Sequence, residues 1–142
     1  MKQFEVLDIS GDIGLKAFGK SLKEAFINVA SGMYSLITKL DAIEKKKTIN
    51  ISLEKHSLDA LLVSWLNELI FYFDAYGFIG KKIVIEEASF NTEEFKLKAK
   101  ISGEEIDPER HERKLLIKAA TYHRLRIEKR NNFWEIDVIF DI

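Results

Sequence analysis

The chain has 142 residues, of which 46% are hydrophobic and 32% charged, and its formal net charge is −1. This composition favours one globular domain spanning residues 1–142, and the near-neutral charge neither requires nor excludes a polyanionic partner. The absence of cysteine excludes disulfides, thiolate metal sites and thiol catalysis. No apolar run reaches membrane-spanning length and no signal-peptide pattern is present, so we expect a cytoplasmic protein without membrane contact.

The first forty residues predict two short strands and an amphipathic helix. Residues 4–7 and 15–18 are extended in pattern and are separated by a segment in which Gly, Ser and Asp crowd together as in turns. Ser21 and Glu24 form a capping box, in which each side chain satisfies the other's backbone N–H. Apolar residues at three- and four-residue spacings then predict a helix over residues 22–39.

The central third of the chain predicts a strand followed by a long apolar helix. Residues 49–53 alternate between apolar and polar side chains, which is typical of a strand. Ser57 can cap a helix over residues 58–76, and Gly77 can end it. A helix with so few polar residues must be covered over much of its circumference, so it should lie at the centre of the core. We expect its most buried residues to be Trp65, Leu66, Leu69, Ile70 and Phe73.

The last third predicts further strands. A strand begins at residue 83, and residues 95–101 alternate with Lys96, Lys98 and Lys100, which we expect to form a solvated face that protects a sheet edge. Residues 121–130 can pair with residues 134–142 through a turn at Asn131-Asn132. Two long helices packed on an antiparallel or mixed sheet make the predicted fold class α+β.

The closing strand ends on acidic groups. It alternates strictly from Trp134 onward, although Ile139 interrupts the polar face, which should therefore be partly covered. Asp141 and the α-carboxylate of Ile142 could meet Asp12, since chain termini often lie close together. Such oxygen ligands suit Ca²⁺ or Mg²⁺. From the residues alone, a turn aspartate and an ordinary core strand explain these features equally well.

Between residues 110 and 130 the chain carries eight basic residues and two acidic ones. The excess favours either an ordinary solvated face or a contact surface for RNA or an acidic partner. Tyr122 is the only aromatic residue there, which does not support a stacking platform for single strands. The basic residues are Arg110, Arg113, Lys114, Lys118, Arg124, Arg126, Lys129 and Arg130.

Four segments, in order and with compatible spacing, resemble the archease family. The resemblance covers residues 6–142, nearly the whole chain. The N-terminal segment looks like the family's first signature, the long helix matches its second, two stretches match the loop and strand that follow, and the end matches the family's terminal Asp-Ile. The segments are residues 11–22, residues 58–69, residues 107–112 with 117–123, and residues 138–142.

The resemblance implies a function that the residue patterns do not. Archeases assist the GTP-dependent RNA ligase of the RtcB type in tRNA splicing and other tRNA processing. They promote guanylylation of the ligase, which allows multiple turnover, and are not themselves enzymes. The family holds a divalent cation, typically calcium, which by resemblance would be bound here by Asp12, Asp141 and Ile142.

Other functions remain open from the sequence. One alternative is an RNA-binding or chaperone-like module acting through the basic segment 110–130. A small metal-dependent hydrolase using Asp12 and Asp141 is less favoured, because the sequence offers no convincing general acid or base beside them. The chain also departs from the family pattern: archeases commonly have His-Thr-Ala-Asp where this chain reads Ile9-Ser10-Gly11-Asp12.

Overall fold

The computed structural model describes residues 2–142, and these residues form two helices and eight strands. The helices are α1 (Leu22–Ile37) and α2 (Leu58–Tyr76), with a 3₁₀ turn at Leu40–Ala42 between them. The strands are β1 (Phe4–Ile9), β2 (Asp12–Gly19), β3 (Lys47–Lys55), β4 (Phe78–Asn91), β5 (Glu94–Glu105), β6 (Ala119–Ala120), β7 (Arg126–Lys129) and β8 (Trp134–Asp141).

The strands form two antiparallel sheets. A five-stranded sheet has the order β1-β2-β8-β6, with β7 also pairing with β8, and a three-stranded sheet has the order β3-β5-β4. Helix α1 packs on the five-stranded sheet and also reaches β4, whereas α2 packs on the three-stranded sheet and also reaches β6. One apolar core therefore joins both sheets, and the predicted α+β class is confirmed.

Local signals place both helices as predicted. Ser21 Oγ accepts a hydrogen bond from Glu24 N at 3.1 Å, and Ser57 Oγ accepts one from Ala60 N at 3.0 Å. The reciprocal bond of the predicted capping box, from Ser21 N to the Glu24 carboxylate, is not formed in the described residues. Helix α2 ends at Gly77, whose φ of 71° is the left-handed conformation that glycine adopts without strain.

Helix α2 supplies the centre of the core, as its composition predicts. Trp65, Leu66 and Leu69 are completely buried, and Ile70 and Phe73 nearly so. The Trp65 indole N–H is also satisfied, because it donates to the Phe26 carbonyl at 3.0 Å. Burying each of the large side chains contributes roughly 1.5–3 kcal/mol to folding.

Three predictions of local structure were wrong. Residues 8–14 are not a loop: β1 and β2 continue into a tight hairpin turn at Ser10-Gly11, where Gly11 has φ 88°. Residues 121–130 form a strand only at Arg126–Lys129, because residues 122–125 make a turn closed by Leu125 N and the Tyr122 carbonyl. The lysines of β5 protect no edge, since β5 is the central strand of its sheet.

Candidate metal centre

The pairing of β2 with β8 brings the two predicted aspartate ligands together. The ladder runs antiparallel from Gly19↔Trp134 to Ile13↔Phe140. Asp12 and Asp141 are the next positions along the two strands, so the register places them side by side. Directly opposite residues of an antiparallel pair have Cβ atoms about 4.5–5.5 Å apart. We call Asp12, Asp141 and the following Ile142 the carboxylate edge.

Both aspartates lie on the face of the sheet that points away from α1. Leu15 of β2 and Val138 of β8 are fully buried in the core, and alternation along each strand then puts Asp12 and Asp141 on the opposite face. Both aspartates are exposed, and Ile142 is about half exposed. Neither aspartate carboxylate forms an ion pair with any basic side chain of residues 2–142.

The backbone holds Asp141 from both sides, and the donor set suits a hard cation. Ala119 of β6 pairs with Asp141, and Lys118 N donates to the Asp141 carbonyl at 2.8 Å. Within residues 2–142, no group of three or more His, Asp or Glu side chains is arranged to hold a metal ion. Two aspartates and one α-carboxylate are all oxygen donors, which Ca²⁺ and Mg²⁺ prefer. The residues present therefore fit the predicted cation.

Beside the carboxylate edge, a small apolar cluster covers the outer face. Ile139, which interrupts the polar alternation of β8, is only 3% exposed, so the predicted covering of this face is confirmed. Its side chain crosses Gly14, where an added Cβ would lie 2.7 Å from Ile139 Cδ1. Gly14 is therefore required for close approach and not for a turn. Ile139 also lines a groove of about 390 Å³ together with Leu7, Ile9, Arg124, Leu125, Arg126 and Asp137.

Further along the outer face, acidic residues of β8 are matched by basic ones. Lys16 Nζ lies 2.9 Å from Asp137 Oδ1, and Arg130 Nη2 donates to Glu135 Oε2 at 2.8 Å. Hydrogen bonding from Arg130 outweighs the opposing effect of burial, and with the charges of Lys16 and Arg130 it holds the pKa of Glu135 below its usual range. The charges in this part of the sheet are satisfied internally.

The basic segment 110–130 is less cationic in three dimensions than in the sequence. Arg110, Arg126 and Arg130 form ion pairs with acidic residues, including Glu104 and Glu135, which lie outside the segment. Lys114 Nζ donates to the Ser35 carbonyl at 2.7 Å. The remaining four are exposed and form no ion pair within residues 2–142; they are Arg113, Lys118, Arg124 and Lys129. Contact with RNA stays a prediction.

The sequence does not predict a buried ionic cluster that joins three segments. Glu104, 4% exposed, accepts hydrogen bonds from Arg110 Nη2 and from Glu44 N, the latter at 2.6 Å. Burial opposes its ionisation, but these bonds and the charges of Arg110 and Lys46 more than offset that cost and lower the pKa of Glu104. We call Glu104, Arg110, His111, Glu44 and Lys46 the ion cluster.

His111 belongs to this cluster. Its side chain is completely buried, and its Nδ1 accepts the Asp107 N–H at 2.8 Å. Nε2 then carries the proton of the neutral ring and lies 3.3 Å from the Ala42 carbonyl and 3.4 Å from Glu104 Oε2. His111 therefore closes the Asp-Pro turn. His56 and His123 are exposed, and His123, predicted inside a strand, lies in the turn before β7.

The fold and this edge define an α+β domain with a pair of unmatched aspartates on the outer face of one sheet. The model of the archease protein family (MTH1598/TM1083) matches residues 4–142, and the chain belongs to that family. It is 37% identical to protein archease of Pyrococcus abyssi over 145 residues, covering 100% of both chains.

Two solved structures share the fold. The solution structure of Methanobacterium thermoautotrophicum protein 1598 has a TM-score of 0.83 at 32% identity and covers 100% of both chains. The crystal structure of an archease from Thermotoga maritima, described as a possible chaperone, has a TM-score of 0.63 at 18% identity, covering 96% of this chain and 94% of that one. Among residues 2–142, no helix combines the length and apolarity needed to cross a membrane.

Proposed function

We propose that this chain is a non-enzymatic accessory protein of the cytoplasm that binds a divalent cation and activates a GTP-dependent RNA ligase of the RtcB type. In this role it promotes guanylylation of the ligase and its multiple turnover in tRNA splicing. Family membership supports the partner, because archeases are the proteins that the sequence resembles over nearly its whole length. The observation that carries the proposal is the strand register that places Asp12 beside Asp141.

The cation would be held by Asp12, Asp141 and the Ile142 α-carboxylate. When bound, Ca²⁺ or Mg²⁺ supplies positive charge that neutralises these carboxylates at the sheet edge. The protein contributes the positions: β2 and β8 fix the two aspartates, and the pairing of Asp141 with Ala119 fixes the last residues of the chain. Like charges placed opposite each other on neighbouring strands are destabilising, so a cation should be favoured there.

The test combines calcium titration by calorimetry with a multiple-turnover ligation assay on the same preparations. Asp12→Asn and deletion of Ile142 should each weaken calcium binding at least tenfold and abolish stimulation of the ligase, while circular dichroism stays unchanged. Asp8→Asn is the matched control, because alternation along β1 points Asp8 to the face opposite Asp12. Full stimulation of the ligase by either altered protein would sink the proposal.

The same preparations separate this role from hydrolysis. An accessory protein should release no product from a panel of phosphomonoesters and phosphodiesters, with or without calcium. Turnover of any of these substrates that is lost in Asp12→Asn would instead favour the metal-dependent hydrolase and contradict the accessory role.

A further inference from the structure

Three aromatic rings form a continuous surface at the C-terminal end of α2. Phe71 is 53% exposed and Tyr76 is 57% exposed, and Tyr72 lies between them. The ring centroids of Phe71 and Tyr72 are 5.6 Å apart, those of Tyr72 and Tyr76 are 5.9 Å apart, and those of Phe71 and Tyr76 are 6.4 Å apart. We call these three residues the aromatic surface. Exposed aromatic residues are enriched where proteins bind one another.

A pocket opens beside these rings, between α2 and the beginning of β3. It has a volume of about 210 Å³ and is walled by Tyr72, Tyr76, Ile49 and Phe78. Lys47 lies at its mouth, where Nζ donates to Glu105 Oε1 at 2.7 Å, so its charge is already matched. The pocket is therefore apolar inside and has the size of a single large side chain.

The charges around the aromatic surface favour a cationic partner. Helix α2 contains three acidic residues and no basic residue along its 19 positions. Two of them, Glu68 and Asp74, lie three positions before and after Phe71, which places all three side chains on one side of the helix. The C-terminal end of a helix adds partial negative charge. A polyanion such as RNA would be repelled here, whereas arginine and lysine would be attracted.

We propose that the aromatic surface is a docking site for a protein segment in which arginine or lysine alternates with apolar residues. One apolar side chain of that segment enters the pocket between Tyr72 and Tyr76. A neighbouring cation lies over an exposed ring, within reach of Asp74, and gains cation–π and ionic attraction together. The site uses α2 and β3 and none of the three residues of the carboxylate edge.

The test uses a synthetic amphipathic peptide built from leucine and arginine as the probe, with binding measured by calorimetry and by amide chemical shifts. Phe71→Ala combined with Tyr76→Ala should weaken binding at least tenfold, and Asp74→Asn should weaken it about threefold. Tyr122→Ala is the matched control, since Tyr122 is 60% exposed and lies on another element. In the wild type, the shifted amides should cluster in α2 and at the beginning of β3, a readout that requires no variant.

Several outcomes would overturn this assignment. Equal binding of a peptide with glutamate in place of arginine would remove the charge argument, and tighter binding of oligouridylate would make the surface a nucleic-acid site. Self-association of the wild type that disappears in the double variant would make it a contact between copies of this chain. Neither calcium nor ligase takes part, so the result is independent of the proposed function.

Discussion

The carboxylate edge and the ion cluster are both rich in acidic groups, yet they treat charge in opposite ways. In the ion cluster, the buried Glu104 carboxylate is surrounded by donors, and Arg110 and Lys46 balance its charge. At the carboxylate edge, Asp12 and Asp141 are adjacent on paired strands and have no basic partner within residues 2–142. Internal matching makes a carboxylate a structural group, whereas unmatched adjacent carboxylates remain available to bind a cation.

The difference follows from where each cluster lies. A buried charge must be paired and hydrogen-bonded, because leaving it alone costs several kcal/mol. The ion cluster meets that requirement and in doing so ties the 3₁₀ turn region, the end of β5 and the Asp-Pro turn together. Exposed carboxylates have no such requirement, since water solvates them. Their lack of partners costs little in the fold and leaves room for a ligand.

The largest expected effect is the loss of calcium stabilisation at the carboxylate edge. At a free calcium concentration one hundred times the Kd, binding should raise the free energy of unfolding by about 2.7 kcal/mol. Asp141→Asn should abolish this gain without lowering stability in the absence of calcium, because it removes a repulsion. Urea denaturation with and without calcium measures both quantities. A preserved calcium gain in Asp141→Asn would place the cation elsewhere.

The ion cluster should behave in the reverse manner. Glu104→Ala leaves Glu44 N without an acceptor and Arg110 without its main partner, and should lower the free energy of unfolding by about 2 kcal/mol. The calcium gain should be unchanged. Glu105→Ala is the matched control, because this neighbouring glutamate makes only an exposed pair with Lys47, and exposed pairs contribute about 0–1 kcal/mol. Equal effects of the two substitutions would contradict the contrast between buried and exposed acids.

The pH dependence of stability sharpens the same comparison. Because the pKa of Glu104 is lower in the folded state than in the unfolded chain, its stabilisation is complete above the usual glutamate pKa, near 4.5, and is lost as the pH falls below it. The stability difference between wild type and Glu104→Gln should therefore shrink between pH 6 and pH 3. Denaturation curves along this series measure it, and a difference independent of pH would exclude the ionised carboxylate as its cause.

The smallest effect on stability is expected from the unpaired part of the basic segment. Changing Arg113, Lys118, Arg124 and Lys129 to Gln should alter the free energy of unfolding by less than about 0.5 kcal/mol, because these exposed side chains form no ion pair within residues 2–142.

The same variant tests binding of RNA without disturbing the pairs that Arg126 and Arg130 make. If these residues bind single-stranded RNA, the slope of log affinity against log salt should become shallower by about 0.7 for each phosphate that is no longer neutralised. An unchanged slope would exclude these four side chains from an RNA surface. Lys96→Gln serves as control, since it removes one charge from the other sheet.

Local chemistry determined the parts of this protein that could be predicted from its sequence. The helix starts at Ser21 and Ser57 and the helix end at Gly77 depend on contacts within four residues, so spacing alone reveals them. The alternation in the closing strand likewise predicts which side chains face the core. The buried residues of α2 follow from its composition, because so apolar a helix has to be covered.

Tertiary structure decided everything that depends on residues far apart in the chain. Gly14 looks like a turn residue until Ile139 is seen to cross it, and Arg130 looks free until Glu135 is placed beside it. The separation of the strands into two sheets, and the ion cluster that joins three segments, have no local signal either. In each case the partner is set by strand pairing and core packing, which spacing along the chain does not encode.

The carboxylate edge combines both kinds of information. The sequence shows that the closing strand carries Asp141 at its end and that Asp12 sits among glycines in a hairpin, and a family resemblance connects them. Only the β2–β8 register shows that the two positions are neighbours on one face. The physical reason is that a strand's side-chain period is a local property, whereas its register depends on a partner strand more than a hundred residues away.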